Sequence, residues 1–523
     1  MSTRKKTLLA VILVIVALLV ALAIIVPMFV DLDRYRPQVI AYIEKQTGKP
    51  VAIQHLQLTL FPALSVRADA CAFGNPPGFP PGDFVTAKRI YAEVEAGALW
   101  RRQVVIKSLE LDQPVITLLS DGRGRWNFQN HADPRPLGQA AFEPPESFTL
   151  GIISRVKIEA AHIAVASLQP SGAAGPVLFE ARGVASTLYQ VDLRAFTSAS
   201  PGAARDPLLA AQGEALVGLA IPEFGPSKSS RPAAEGDLKA DDLRFGSIEA
   251  TDVKSKLRIF SGQVFLDDLG FDVYDGHATG DVSFNLGGPR LAFRASTRLS
   301  GVDVAKLLAA FPGGSGKMTG TMEGSFDASG EVLRSSAPTA DMQGTGQLTI
   351  RNGRLPTLHL NENLIQLARV GQLGPGASDP TAFSLFSADL NLADQRIVSR
   401  KITIAGNGID IDGSGALNLV DADSLDYQGT AKLAAPQNLL TQVIAGLSGA
   451  TYAHGKLTFS FALAGTVQNP RFRLKSKGGW LNPGGREAPS KAPVRSSPMQ
   501  PTSFKLWRTP QEKEEGTAVS RNT

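Results

Sequence analysis

Apolar and polar residues alternate along several stretches of the chain, and this period of two predicts β-strands with one apolar and one polar face. Four stretches have this design: 277–286, 343–351, 409–419 and 455–467. In the first of them no position breaks the alternation. The large apolar residues that the four stretches place on one face are Val282, Phe284, Leu348, Ile350, Ile409, Ile411, Leu417, Leu457, Phe459, Phe461 and Leu463.

Glycines recur on the apolar faces of these strands, as at Gly280, Gly346 and Gly413. A glycine removes a side chain from the face, which eases bending of the strand and lets another surface approach it. We therefore expect the sheet to be curved.

Helix candidates are few and short, each with a modest apolar stripe. They are residues 36–46, 303–311, 361–370 and 438–447. Four short helices cannot cover so much sheet. The apolar face must then be closed by a second sheet, by the same sheet folding over, or by an apolar ligand, because a large exposed apolar surface aggregates. The expected fold is mainly β: an elongated, curved, largely antiparallel sheet with a few short helices.

The run 7–30 contains no charged residue and predicts a single transmembrane helix, since a bilayer core of about 30 Å needs about 20 apolar residues. A secretory signal peptide is the competing interpretation, because Ala-Leu-Ala at 21–23 resembles a cleavage site. The apolar region of a signal peptide is usually shorter, about 7–15 residues. Basic residues at 4–6 favour a cytoplasmic N-terminus, although further basic residues follow the run closely. The rest of the chain is then expected outside the cytoplasm.

Composition narrows the class of protein further. The 51 glycines and 34 prolines in 523 residues favour strands and turns over long helices. The single cysteine, Cys71, cannot form an internal disulfide. The net charge of +5 is concentrated at the chain ends, since residues 471–523 carry 11 Lys and Arg against 4 Asp and Glu. The body between the ends is net acidic and predicts no binding of nucleic acid.

Motifs for catalysis or cofactor binding are not evident in the sequence. The Gly-rich run at 313–317 lacks the first glycine and the Ser or Thr of a P-loop. The stretch 121–128 lacks the third glycine of a dinucleotide fingerprint, and a turn followed by a strand explains it. The six histidines never occur at metal-ligand spacing. We expect no catalytic, cofactor-binding or metal-binding residues, and a protein that is not an enzyme.

Several motifs resemble those of the AsmA family. The stretch 31–79 is similar to the family's N-terminal region, where an anchor precedes an amphipathic helix, a strand hairpin and an Asn-Pro-Gly-Phe motif, here interrupted by a second proline. The stretch 105–128 resembles the family's strand, Pro, strand, Asp-Gly and Trp-Asn signature. Further stretches resemble its C-terminal region in the same order, at 271–284, 301–311, 344–355 and 465–474. The interior at 161–236 matches less clearly, and the basic tail lies outside the resemblance.

The resemblance implies an inner-membrane anchor, a periplasmic body with a chorein-like segment and a U-shaped sheet, and a role in outer-envelope biogenesis through phospholipid movement. The expected organisation is a cytoplasmic N-terminus and anchor at 1–30, a chorein-like segment at 31–130, a linker at 131–147, a β segment with a long Pro-rich loop at 148–236, an AsmA-like groove region at 237–477 and a disordered basic tail at 478–523.

Two interpretations of the apolar face remain open. In the first, the eleven residues named above line a groove that binds or conducts phospholipid acyl chains, with the inner membrane and envelope assembly proteins as further partners. In the second, the chain is a non-enzymatic structural or regulatory factor in the assembly of outer-membrane proteins or lipopolysaccharide, and its sheets close into ordinary sandwiches. A continuous, unfilled groove distinguishes the first from the second.

Overall fold

The structure, a computed structural model, describes most of the chain between Leu32 and Leu481. The described residues are 32–60, 63–100, 105–121, 125–128, 152–169, 171–192, 231–260, 262–286, 291–311, 313–332, 341–356, 382–406, 409–419, 424–467, 470–476 and 479–481. The predicted anchor, the linker at 131–147, the helix at 361–370 and the tail beyond 481 lie outside them. Within the described ranges, no helix has the length and apolar character needed to cross a membrane.

Between residues 32 and 128, the described residues of the N-terminal part form two short helices and six strands. A 3₁₀ turn at Leu32–Tyr35 leads into helix α1, Arg36–Thr47. Helix α2 is Ala96–Trp100. The strands are β1 Val51–Ala52, β2 His55–Thr59, β3 Ser65–Gly74, β4 Asp83–Val94, β5 Ile106–Asp112 and β6 Val115–Ser120. Residues 125–128 form a single bridge from Trp126 to Ser120 and a turn, so the strand predicted there is wrong.

Among the described residues, two helices lie between the remaining strands. Helix α3 is Val304–Ala309 and helix α4 is Leu439–Ser448. The first group of strands is β7 Ile152–Leu168, β8 Ala174–Asp192, β9 Ala234–Phe245, β10 Ile248–Phe260, β11 Gln263–Val273, β12 Gly276–Asn285, β13 Leu291–Asp303, β14 Thr319–Val332 and β15 Gln343–Arg354. The second is β16 Ala382–Ala393, β17 Arg396–Gly406, β18 Ile409–Asn418, β19 Ser424–Ala434, β20 Thr451–Ala453, β21 Lys456–Thr466, β22 Pro470–Ser476 and β23 Gly479–Leu481. The last strand lies within the predicted tail.

The 23 strands of the described residues belong to one sheet. From β7 to β19 each strand pairs with the next one in an antiparallel hairpin. In addition, β7 lies parallel beside both β5 and β6. The sheet is therefore mixed, with β1 and β2 near one edge and β22 and β23 at the other. The prediction of a mainly β fold is confirmed.

The helices begin where the sequence supplies the right cap. Asp303 accepts hydrogen bonds from the backbone of Ala305 and Lys306 at the start of α3, and Asn438 does the same for Thr441 in α4. Such side chains satisfy amide groups that have no partner within the helix. A proline in the first turn and Gly48 after the last turn delimit α1. Three of the four predicted helices fall in the described residues and are confirmed.

Five clusters of buried apolar side chains form the core. One lies under α1, one under α3 and one under α4. The other two consist of strand residues alone, on β5 to β12. Each cluster joins strands that are neighbours in the sheet. Among the described residues, none brings distant strands together, as the closed sandwich would require.

Candidate functional site: a continuous apolar face

Strand register determines which residues share a face of the sheet, because directly paired residues project to the same side. In the C-terminal part, Leu457 pairs with Leu433, which pairs with Ile409. The neighbouring row joins six strands through Ile411, Ile404, Phe386, Ile350, Met322 and Val302. The same side of the sheet therefore carries apolar residues on every strand of this part.

The same face continues through the N-terminal half. Starting from β12, the paired residues are Val282, Leu266, Leu257, Gly236, Leu188, Val156, Leu109, Ala92, Val66 and Leu58. We call this side of the sheet the apolar face. It runs from β2 to β21, and all eleven candidate residues lie on it. The sequence predicted their common side correctly within each strand, and the pairing joins them between strands.

The eleven candidates fall into three groups, according to how far each is buried and whether it packs against a cluster. Six are buried in the clusters beneath α3 and α4: Ile350, Ile409, Ile411, Leu457, Phe459 and Phe461. Two are half-buried and pack against clusters, Val282 and Leu348. The remaining three, Phe284, Leu417 and Leu463, are half-buried and belong to no cluster.

The last three lie in a larger group at one end of the strands. Helices α3 and α4 leave β13 and β19 at one end of the sheet's strands and cover the apolar face there. At the opposite end of β12 to β21, nine apolar residues of this face are half-buried and belong to no cluster: Phe284, Phe293, Phe326, Leu390, Leu392, Ile397, Leu417, Leu425 and Leu463. We call this group the open stretch. In a closed sandwich these positions would be fully buried.

Six members of the open stretch lie outside the four stretches for which the sequence predicted a shared face. Phe293 and Phe326 lie on β13 and β14, and Leu392 lies on β16. Phe326 lies between two exposed polar residues, Ser325 and Asp327, and Phe293 and Leu392 each have one exposed polar neighbour, Arg294 and Asn391. The same period of two would have identified them.

Two glycines of the apolar face make room for aromatic rings from neighbouring strands. A Cβ at Gly429 would lie 3.0 Å from the ring of Phe461 on β21, and one at Gly346 would lie 2.5 Å from the ring of Phe326 on β14. Rings thus lie across the positions that lack a side chain, an arrangement known to stabilise glycines in sheets. At Gly346 the approaching surface that the sequence predicted is an aromatic side chain, whereas a Cβ at Gly280 or Gly413 would meet backbone atoms of the neighbouring strand.

One polar pair interrupts the open end of the apolar face. The ring of Tyr427 on β19 lies over Gly415 of β18, and its hydroxyl is hydrogen-bonded to Ser399 of β17. Burial raises the pKa of Tyr427, and the hydrogen bond to Ser399 opposes that shift. The pair supplies hydroxyl groups beside an otherwise apolar surface.

The opposite face is covered by charged side chains. Lys256 pairs with Asp268 at 2.6 Å, and Lys432 pairs with Asp412 at 2.8 Å. Glu180 accepts hydrogen bonds from Arg182, which hold the pKa of its carboxyl below the usual value. The charges are mostly exposed, so they keep this side in water and leave the apolar face as the side that can hold an apolar ligand.

A buried polar cluster holds the N-terminal part together. Asn127 is fully buried, and its amide nitrogen donates to Asn75 Oδ1 at 2.9 Å and to the Thr117 carbonyl at 2.7 Å. Its Oδ1 accepts from the backbone N–H of Leu119 at 3.0 Å. Both motif regions that suggested the family resemblance thus meet in one hydrogen-bonded cluster.

Lys49 completes this cluster with a buried amine. Its side chain is nearly inaccessible, with the residue 6% exposed, and Nζ donates to the Phe128 carbonyl at 2.6 Å. The ammonium group also lies 4.5 Å from the ring centroid of Phe84. Burial lowers the pKa of Lys49 to about 8. The amine has a structural role, since it is enclosed by the chain itself.

The fold and this face define a class of protein: one long, open sheet with a continuous apolar face and a charged opposite face. The family model of the AsmA family matches residues 1–169 and 230–402, more than half of the chain, and the chain belongs to this family. No curated protein and no solved structure matches the chain. Family membership supports a role in envelope biogenesis or lipid transport at the level of the family.

Proposed function

We propose that the open stretch binds the acyl chains of phospholipids, and that the protein holds or conducts lipid in the cell envelope without catalysing a reaction. The observation that carries this proposal is the open stretch itself. Nine large apolar side chains are half-buried and belong to no cluster, whereas α3 and α4 cover the other end of the same strands. An acyl chain would remove this apolar surface from water at a gain of about 25 cal/mol per Å².

The finer placement belongs to the same proposal. The uncharged run at 7–30 would anchor the chain in the inner membrane with the sheet in the periplasm. The order of elements supports this arrangement, because α1 and the first strands follow the run directly. Lipid leaving the inner membrane would then meet the apolar face at its N-terminal end. In the periplasm, envelope assembly proteins would be further partners of the chain.

A crosslinking experiment in cells tests the proposal on the full chain. Benzoylphenylalanine replaces Phe284 or Phe326 in the open stretch, and Ser325 on the exposed opposite face is the matched control, adjacent to Phe326 in β14. After irradiation, phospholipid should be attached at the first two positions and not at Ser325. Equal labelling of the two faces, or no lipid at either, would contradict the proposal.

A substitution experiment separates a groove from a closed core. Leu417→Asp should leave a folded protein that no longer co-purifies with phospholipid and fails to support envelope integrity, because a carboxylate at an open position stays hydrated when lipid is absent. Ser325→Asp is the control with the same charge on the opposite face. If Leu417→Asp unfolds the chain while the wild type carries no lipid, the result favours the closed-sandwich interpretation over the groove.

A further inference from the structure

Four aliphatic side chains of the open stretch form one row across neighbouring strands. Leu392 of β16 pairs with Ile397 of β17, which pairs with Leu417 of β18, which pairs with Leu425 of β19. All four are half-buried, and no cluster of the described residues includes any of them. We call them the aliphatic row. Because neighbouring strands lie about 4.8 Å apart, the row is about 14 Å long.

A glycine bounds the aliphatic row at each end. Leu392 is paired with Gly344 of β15, and Leu425 is paired with Gly465 of β21. Since glycine adds no side chain to the face, the four aliphatic side chains stand between two lower positions. Four residues of an extended chain cover about 13 Å, which is close to the length of the row. A short apolar segment of polypeptide therefore fits this surface.

The described chain ends while it runs toward the open end of the apolar face. In β22 the chain passes from Pro470, opposite Gly465, to Leu474, opposite Phe461. Strand β23 reverses this direction, and its last residue, Leu481, lies opposite Leu474. The last described strand thus points toward the end of the sheet where the aliphatic row lies.

The sequence that follows Leu481 contains one concentration of large apolar residues. Among the 42 residues 482–523, Phe504, Leu506 and Trp507 occur within four positions. The other apolar residues larger than alanine in this part of the sequence occur singly: Val494, Met499 and Val519. We call residues 504–507 the tail segment.

The tail segment is long enough in its connection to reach the aliphatic row. Twenty-three residues separate Leu481 from Phe504. A polypeptide of this length spans about 25–30 Å as a random coil and at most about 80 Å when extended. Leu417 lies four strands from β23, about 19 Å across the sheet. Because the segment belongs to the same chain, its effective concentration at the row is roughly millimolar.

We propose that the tail segment docks on the aliphatic row, with Phe504, Leu506 and Trp507 covering its four side chains. Docking removes apolar surface of both partners from water and requires no lipid. Its consequence rests on the proposed function: the tail segment and acyl chains compete for the same surface. The chain then regulates how much lipid its own open stretch holds.

Crosslinking within the chain tests the docking. Benzoylphenylalanine replaces Trp507 in the full chain held in nanodiscs, and the irradiated protein is digested with trypsin. The attachment should map to residues 402–432, the tryptic peptide that contains Leu417 and Leu425. The same probe at Val519, outside the tail segment, is the matched control and should give little of this product.

Substitutions in the tail segment identify the groups responsible without altering a described strand. Phe504→Ser with Leu506→Ser should reduce the internal product from position 507 roughly tenfold, because the burial of two large apolar side chains is lost. Phe504→Leu with Leu506→Met should retain it. Lys505→Gln with Arg508→Gln should also retain it, since the aliphatic row carries no charge. A loss with the glutamines as large as with the serines would overturn docking on this row.

Lipid content tests the competition. Phospholipid that co-purifies with the full chain is measured after extraction in detergent. The variant with Phe504→Ser and Leu506→Ser should carry roughly twice as much as wild type, because the row is no longer shared. Equal lipid in the two proteins would overturn the competition.

Several results would overturn the docking itself. These are equal products from positions 507 and 519, attachment of position 507 to phospholipid or to a separate envelope protein with no internal product, and a product that joins two copies of the chain. An internal product from a wild type that carries no lipid would support docking and contradict the proposed function. Lipid in the wild type with no internal product would contradict docking and leave the proposed function intact.

Discussion

The two ends of the strands β12 to β21 carry the same pattern of residues and differ in what lies above them. At one end α3 and α4 cover the apolar face, and Leu457 is fully buried. At the other end Leu463, six residues along the same strand, is half-buried and belongs to no cluster. Alternation therefore specifies which side a residue faces, whereas the neighbouring helices determine whether that side is core or open surface.

The largest expected effect comes from placing a charge at each end of one strand. Leu457→Asp should destabilise the protein by roughly 4 kcal/mol, because an unpaired carboxylate in a packed cluster cannot be hydrated. Leu463→Asp should cost about 1 kcal/mol, since water reaches that position. Urea unfolding of both full-length variants in detergent measures the difference. Equal losses at the two positions would show that the open stretch is closed core.

A second substitution tests how closely the strands approach within the apolar face. A Cβ at Gly280 would overlap the carbonyl oxygen of Ser296 on β13 and lie 2.9 Å from the Cα of Thr297. Gly280→Ala should therefore destabilise by roughly 2–3 kcal/mol. The matched control is Gly446→Ala in α4, where a Cβ meets no atom within 4 Å. Alanine there should stabilise by about 0.5–1 kcal/mol, and a loss at Gly446 would contradict its open position.

Lys49 extends the comparison to a covered position that already carries an amine. Its pKa is about 8 in the folded chain and 10.5 when exposed, so the unfolded chain binds more protons between these pH values. The free energy of unfolding therefore rises with pH across this window. Below pH 8 the folded chain bears the full cost of burying the charged amine. The stability of Lys49→Met relative to wild type should fall by about 2 kcal/mol from pH 7 to pH 10. If the stability difference between Lys49→Met and wild type were independent of pH, a charged, desolvated amine at Lys49 would be ruled out.

The smallest effect is expected on the charged face. Lys256→Gln removes the ion pair to Asp268, but both side chains are well exposed and the pair is screened by water. The melting temperature should change by less than about 1 °C. A drop of several degrees would mean that the charged face is covered, contrary to the open architecture.

Much of the fold was predictable from the sequence. The period of two at 277–286 and 455–467 identified strands and the side on which Phe284 and Leu457 lie, and Asp303 and Asn438 mark helix starts through their capping side chains. The division between covered and open positions was not predictable, because it depends on where α3 and α4 pack. Leu457 and Leu463 have the same local sequence pattern, so only the three-dimensional contacts distinguish them.

Two further features depend on contacts between distant residues. The parallel pairing of β7 with β5 and β6 joins segments on either side of a Pro-rich stretch. The hydrogen bond from Asn127 to Asn75 links residues 52 positions apart. Neither leaves a periodic signal, since each involves single residues or the relative direction of two strands.

The antiparallel pairing described above has a consequence for how such chains vary in length. Within the described residues, each strand from β8 to β18 pairs only with the strand before it and the strand after it. Stability in such an array is approximately a sum over neighbours. A hairpin gained or lost by duplication or deletion would change the reach of the sheet by two strands, about 9–10 Å, while the elements at both ends keep their own contacts. Evolution can thus adjust the distance that the protein covers without redesigning either terminus.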